Sequence, residues 1–189
     1  MTSVELQVLT QEVHACQACV LHQSRKQPVM GRGNIRSDLI FVGEAPGATE
    51  DNTGLPFCGK SGKILDKLIA SIELSQDTVY ILNIIKCRPP NNRRPSTSEM
   101  QSCKSFLDRQ LSIAQPKLLV ALGSTAIVGL CGPGAPISER RGKIEYYGKI
   151  PVLATYHPAA TIYNPVLKST LEQDIILARK ILDYGLSEV

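Results

Sequence analysis

Four short apolar runs, at 39–42 (LIFV), 79–85 (VYILNII), 118–122 (LLVAL) and 152–154 (VLA), alternate with segments whose apolar residues recur at helical spacing. Each run is rich in β-formers, is bounded by turn residues and is too short for a helix, so it reads as a buried strand. Between the runs, 62–74 (Ile64, Leu65, Leu68, Ile69, Ile72) and 97–114 (Met100, Cys103, Phe106, Leu107, Leu111) carry one apolar stripe each, the pattern of a helix resting on a sheet. Ser96-x-x-Glu99 is a capping box that opens the second of these helices. Residues 3–14 form a short amphipathic helix, and Asn164-Pro165 starts a last one running to 183. This order implies a three-layer αβα sandwich around a central, mainly parallel, four-stranded sheet. A chain of 189 residues with 43% hydrophobic content fits a single core, hence a single domain over 1–189.

Such a sheet also says where function sits. Ligands of open α/β sheets bind beyond the carboxyl ends of the strands. The segments following the runs are G-E-A-P-G at 43–47, Asn83 to Cys87, Gly123-Ser124, and Tyr156-His157-Pro158-Ala159-Ala160. They are expected to face one another across one cleft.

Basic residues number 21 against 17 acidic ones, a net charge of only +4. Their distribution is more telling, because they crowd into 86–94 (Lys86, Arg88, Arg93, Arg94) and 140–143 (Arg140, Arg141, Lys143). Clustering of this kind is the footprint of a polyanionic partner such as nucleic acid. The opening MTSVELQVLTQEV carries glutamates and no basic leader region, so it does not read as a secretory signal. No segment reaches the ~18 apolar residues of a membrane span. A cytoplasmic location is expected, where six cysteines are not expected to pair as structural disulfides.

Cys16 and Cys19 make a C-x2-C knuckle, while Cys87 and Cys103 bracket the basic, proline-rich R-P-P-N-N-R-R-P. That loop has no hydrophobic reason to be ordered. Four thiolates meeting at one centre would pin both of its ends, the centre replacing a core. Spacing alone leaves three readings open. Zinc fits four cysteines, although its ribbons normally use two knuckles. An iron–sulfur cluster tolerates wider spacing. The third reading is a set of buried small hydrophobes without metal. Cys58 and Cys131 fall outside the pattern and read as packing residues.

GEAPGATEDNTGLPFCGKSGKIL, NIIKCRPPNNRRP and YHPAATIYNPVLK, in this order and with the four cysteines, resemble the family 4 uracil-DNA glycosylases over residues 12 to 180. The resemblance implies the αβα fold and a 4Fe-4S cluster on Cys16, Cys19, Cys87 and Cys103. It also implies a monomeric hydrolase that excises uracil from single- and double-stranded DNA. Each chemical need then has a candidate residue. Phe57, in the loop G-L-P-F-C-G, is placed to stack on a flipped base; otherwise it is a core anchor. Asn83 ends an apolar strand, where a buried amide needs its hydrogen bonds made. It can donate to uracil O4 and accept from N3–H, a pattern that cytosine reverses; in isolation it reads as a strand-end cap. His157 is the only histidine beyond His22 and is placed to donate to uracil O2 as charge builds there; the plainer reading is a structural histidine.

The better-known uracil glycosylases carry an aspartate in G-Q-D-P-Y, and Ala45 stands at that position here. By resemblance Glu44 is the carboxylate that matters for catalysis. Ala45 and Gly47 belong to the same wall, and Glu50 or Asp51 line the pocket or exclude the thymine methyl. DNA contacts are expected from Lys60, Ser61 and Lys63, where amides open a helix and suit a phosphate, and from Arg88, Arg93, Arg94 and Lys168, with the loop arginines facing outward. The segment A-A-T-I-Y-N-P after His157 is placed to insert an apolar side chain into the gap left by the base. Leu55 departs from the arginine, and Cys58 from the small aliphatic residue, often found in relatives. The rival reading is a non-enzymatic iron–sulfur protein that binds nucleic acid or senses redox state. A zinc base deaminase is excluded, since no H-x-E with a downstream P-C-x-x-C occurs.

Overall fold

The structure is a computed structural model that describes residues 2–188; Met1 and Val189, the ends of the expected single domain over 1–189, lie outside the described residues. In chain order the elements are α1 (Thr2–Ala15), β1 (Arg32–Gly33), β2 (Leu39–Gly43), α2 (Ala48–Thr53), α3 (Lys60–Ser71), β3 (Tyr80–Asn83) and α4 (Thr97–Ala114). They continue with β4 (Leu118–Leu122), α5 (Ser124–Cys131), α6 (Ile137–Arg140), β5 (Ile144–Tyr147), β6 (Ile150–Thr155), α7 (Ala160–Tyr163) and α8 (Leu167–Tyr184).

One sheet runs in the order β1-β3-β2-β4-β6-β5, with the four inner strands parallel and both outer strands antiparallel to their neighbours. The sheet therefore has six strands rather than the four expected. The two added strands lack the signal that marks the others. β1 is a two-residue ladder, too short for any period. β5 reads I-E-Y-Y with no fully buried residue, as befits an edge. It joins β6 through the two-residue turn Gly148-Lys149, since Tyr147 pairs with Ile150.

The inner strands are apolar on both faces because both faces are covered. Ile40 and Val42 point into a core shared with Leu107 and Leu111 of α4 and Ile127 of α5. Leu39 and Phe41 point the other way, onto Leu65 and Ile69 of α3 and Leu171 and Ile175 of α8. These are the three layers expected. Full burial of a side chain such as Phe41 stabilises the fold by about 2–3 kcal/mol. Among the described residues no helix is long and apolar enough to cross a membrane.

After β2 the chain moves to β3 on one side and then to β4 on the other. The crevice at this reversal is the natural ligand site of such a sheet. Gly43 and Asn83, the last residues of β2 and β3, are register partners at its mouth.

Candidate active site

Beyond the strand tips lies a cavity of about 450 Å³ whose walls include Glu44, Ala45, Gly47, Glu50, Phe57, Ser61, Asn83 and His157. Three of the four expected loops meet there. The loop that follows β3 adds Pro89, Asn92 and Arg93, and α7 adds Tyr163.

Phe57 is buried and has a left-handed backbone, φ +52, which a non-glycine residue adopts only at some cost. Arg32 of β1 donates to the Phe57 carbonyl at 3.3 Å and pairs with Asp66 of α3 at 2.5 Å. Gly62 of α3 presses so close to the Phe57 carbonyl that a Cβ there would overlap it. The ring is thus fixed from behind, and its centroid lies 5.5 Å from that of His157 at a 31° tilt. Gly43 packs directly against the side chains of Phe57 and Asn83, because any Cβ there would overlap both the Phe57 ring and the Asn83 Oδ1.

Asn83 is buried, and its Oδ1 has no hydrogen-bond partner. A buried acceptor left unpaired costs on the order of 1–3 kcal/mol, and the Asn83 side chain that carries it lines the cavity, which makes this amide the candidate to pair with a ligand N–H. His157 follows β6, whose last residue Thr155 donates to Asp174 of α8 at 2.6 Å. The amide of Ala159 donates to His157 Nδ1 at 3.1 Å. With Nδ1 accepting, the proton of the neutral ring sits on Nε2. Burial pushes the His157 pKa down to about 4, so at neutral pH the ring is an uncharged N–H donor.

The carboxylates divide. Glu44 lines the cavity directly after β2. Glu50 also lines it, and its Oε1 accepts from the amide of Gly59 at 3.3 Å. Asp51 corrects an expectation, because it is buried away from these walls and accepts from the Lys26 amide at 2.9 Å. Adjacent residues on a helix point about 100° apart, so only one of the pair can face the cleft.

Of the basic residues, Lys60 and Lys63 stand exposed at the start of α3, with Ser61 in the cavity wall between them, and Arg94 is exposed on the loop. Arg93 is exposed and Arg88 half-exposed, and both are also paired within the protein. Arg88 donates to Asn92 Oδ1 at 2.7 Å. Arg93 grips the carboxylate of Glu99 with two bonds, at 2.8 and 2.6 Å. Glu99 belongs to the capping box, accepting from the Ser96 amide at 2.7 Å. The guanidinium beside it holds Glu99 at about 2. Lys168 is exposed and pairs with Glu172 at 3.8 Å. Tyr163, in the segment expected to wedge DNA, is 89% exposed at the rim.

A second, small pocket gathers Cys16, Cys19, Cys87 and Cys103, together with Arg25 and Lys86. Among the described residues no three His, Cys, Asp or Glu side chains are grouped to hold one metal ion. Arg25 donates to Cys87 Sγ at 3.0 Å and to the carbonyls of His14 and Cys16 at 2.8 and 2.9 Å. Burial pushes the Cys103 thiol up to about 11 and the Cys87 thiol upward as well. Lys86 lies fully buried beside them. Nothing in the sequence marked Arg25, and Lys86 had read as part of a surface patch. Cys58 and Cys131 stay outside this group; Cys131 packs against the core of α4 and α5.

A hollow lined by a phenyl ring, an amide and an imidazole admits a flat heteroaromatic ring. That is the geometry of an α/β protein that receives a nucleobase at its strand tips. The profile of the Uracil DNA glycosylase superfamily matches residues 30–178. The chain is 41% identical over 174 residues to a Type-4 uracil-DNA glycosylase of Archaeoglobus fulgidus, covering 88% of this chain and 87% of that protein. It is 43% identical over 185 residues to a Type-4 uracil-DNA glycosylase of Sulfurisphaera tokodaii, covering 93% and 84%. A Type-4 uracil-DNA glycosylase of Thermotoga maritima is 40% identical over 161 residues, 84% of each chain. The chain belongs to the uracil DNA glycosylase superfamily.

Proposed function

We propose that this protein hydrolyses the N-glycosidic bond of uracil in DNA, releasing uracil and leaving an abasic site for base excision repair. The observation that carries the reading is the unpaired Oδ1 of Asn83 in the cavity wall. Uracil N3–H supplies the missing donor, and the Asn83 amide nitrogen donates to O4. Cytosine presents an acceptor at N3 and a donor at C4, so it would leave the buried amide facing two mismatched groups. Phe57 stacks on the extruded ring.

In the reaction the C1′–N1 bond breaks and its electron pair moves onto the uracil ring and O2. The Nε2–H of neutral His157 donates to that oxygen, a contribution of about 3 kcal/mol for one well-placed donor. Water adds its oxygen to C1′, and its proton passes to a base. Glu44 orients that water or steadies the cationic sugar by its charge. Lys60, Ser61, Lys63 and Arg94 hold phosphates of single- or double-stranded DNA without reading sequence. Tyr163 fills the vacated stack.

Cys16, Cys19, Cys87 and Cys103 would hold the 4Fe-4S cluster. The donor set fits it: four cysteines line one pocket, and two cationic side chains stand ready to balance an anionic centre. When bound, the cluster would tie together the segment after α1, the loop after β3 and α4, and so would order the loop whose residues wall the cavity. We infer likewise a monomer that acts in the cytoplasm. The test is incubation with a labelled uracil-containing oligonucleotide followed by hydrolysis of abasic sites. Strand breaks at the uracil position support the reading, and an intact strand at stoichiometric protein refutes it.

A further inference from the structure

Lys86 is 1% exposed, and its Nζ donates to the backbone carbonyl of Asn83 at 2.8 Å. The same side chain lines the pocket of the four cysteines, with Cys87 and Cys103 close enough to act on its charge. Taking an ammonium out of water is costly, and one carbonyl does not offset the loss. An anionic centre on the cysteines would.

The ammonium is also held in register. Val29 donates to the Lys86 carbonyl at 2.7 Å, and Ile84 donates to Gly43 at 2.9 Å. The peptide unit that follows Asn83 is thereby gripped at its carbonyl by Lys86 and at its N–H by β2. That peptide unit carries the Asn83 side chain, which lines the cavity.

We propose that Lys86 is a positioning residue that links the four-cysteine centre to the amide of Asn83, so that the occupied centre sharpens recognition of the uracil edge. The inference rests on the function proposed above. Uracil discrimination is set from behind the pocket, by a residue that never touches the base.

The test compares purified wild type, Lys86→Met, which keeps length without a donor, and Lys86→Gln, which keeps a donor without charge. Readouts are iron content, affinity for abasic DNA, inhibition by free uracil, and single-turnover excision. Wild type lacking iron or excision would sink the function proposed above and is visible separately. The expected result is wild-type iron and abasic-DNA affinity in Lys86→Met, with uracil inhibition and excision each weakened about tenfold or more, the worth of one charge-assisted hydrogen bond. Lys86→Gln should return both to within about threefold of wild type. Unchanged inhibition and excision in Lys86→Met, or an iron-loaded Lys86→Gln as impaired as Lys86→Met, would overturn the proposal. Failure of Lys86→Met alone to load iron, with Lys86→Gln like wild type, overturns it too. Loss of iron from both variants also overturns it, because Lys86 would then serve assembly of the centre rather than position.

Discussion

The ring of Phe57 lies 5.5 Å from the imidazole of His157, tilted by 31°, although one residue precedes α3 and the other follows β6. Their meeting defines the volume into which a base must fit, with the aromatic face on one side and the N–H donor at its edge. His157→Ala is expected to slow single-turnover uracil excision by about 10² to 10³ while leaving affinity for abasic DNA unchanged. Equal losses in both would place the imidazole in binding rather than in the transition state.

The pKa of His157 is near 4 in the fold against an ordinary 6.5. Between those values the unfolded chain takes up a proton that the folded site refuses. Stability contributed by the neutral ring is therefore full above pH 6.5 and declines as pH falls toward 4. Urea unfolding at pH 7 and pH 5 should show the wild type losing more stability than His157→Gln over that interval. Parallel losses would mean that the imidazole is not held neutral.

Gly43 has no room for a methyl group, since Asn83 Oδ1 and the Phe57 ring occupy its place. Gly43→Ala should cost about 1–3 kcal/mol of stability, as overpacking does, and should reduce excision more than it reduces DNA binding. Thermal denaturation and abasic-DNA titration on one preparation separate the two effects.

Cys87 and Cys103 lie at either end of the segment that carries Pro89, Asn92 and Arg93 into the cavity wall. Cys87→Ala is expected to lose iron and to expose 88–102 to limited proteolysis, with excision falling alongside. A digestion pattern like that of the wild type would show that the Arg93–Glu99 pair and the capping box order the loop by themselves.

The central strands were legible because burial on both faces leaves an unbroken apolar run, as in Leu118–Leu122. The edges were not, because Ile144–Tyr147 is only half-buried and mixes polar with apolar residues, and Arg32–Gly33 is too brief to show a period. Asn83 and His157 stood out as polar residues at the ends of apolar strands, a local signal. The loop charges misled for a physical reason. A basic run predicts a solvated face, yet Lys86 turns inward to a backbone carbonyl, a partner that spacing does not reveal. Asp51 was misplaced likewise, since its partner is the backbone of Lys26, which has no signature in the sequence.

The central claim is that one amide reads the base. The most direct measurement is single-turnover excision by wild type and Asn83→Asp on matched duplexes carrying uracil or cytosine at one position. The account predicts that the wild type releases uracil alone, and that the variant loses at least about 10² of that rate, more than one lost donor explains because a charge now faces O4. It also predicts measurable release of cytosine by the variant. Uracil excision by Asn83→Asp at the wild-type rate would contradict it.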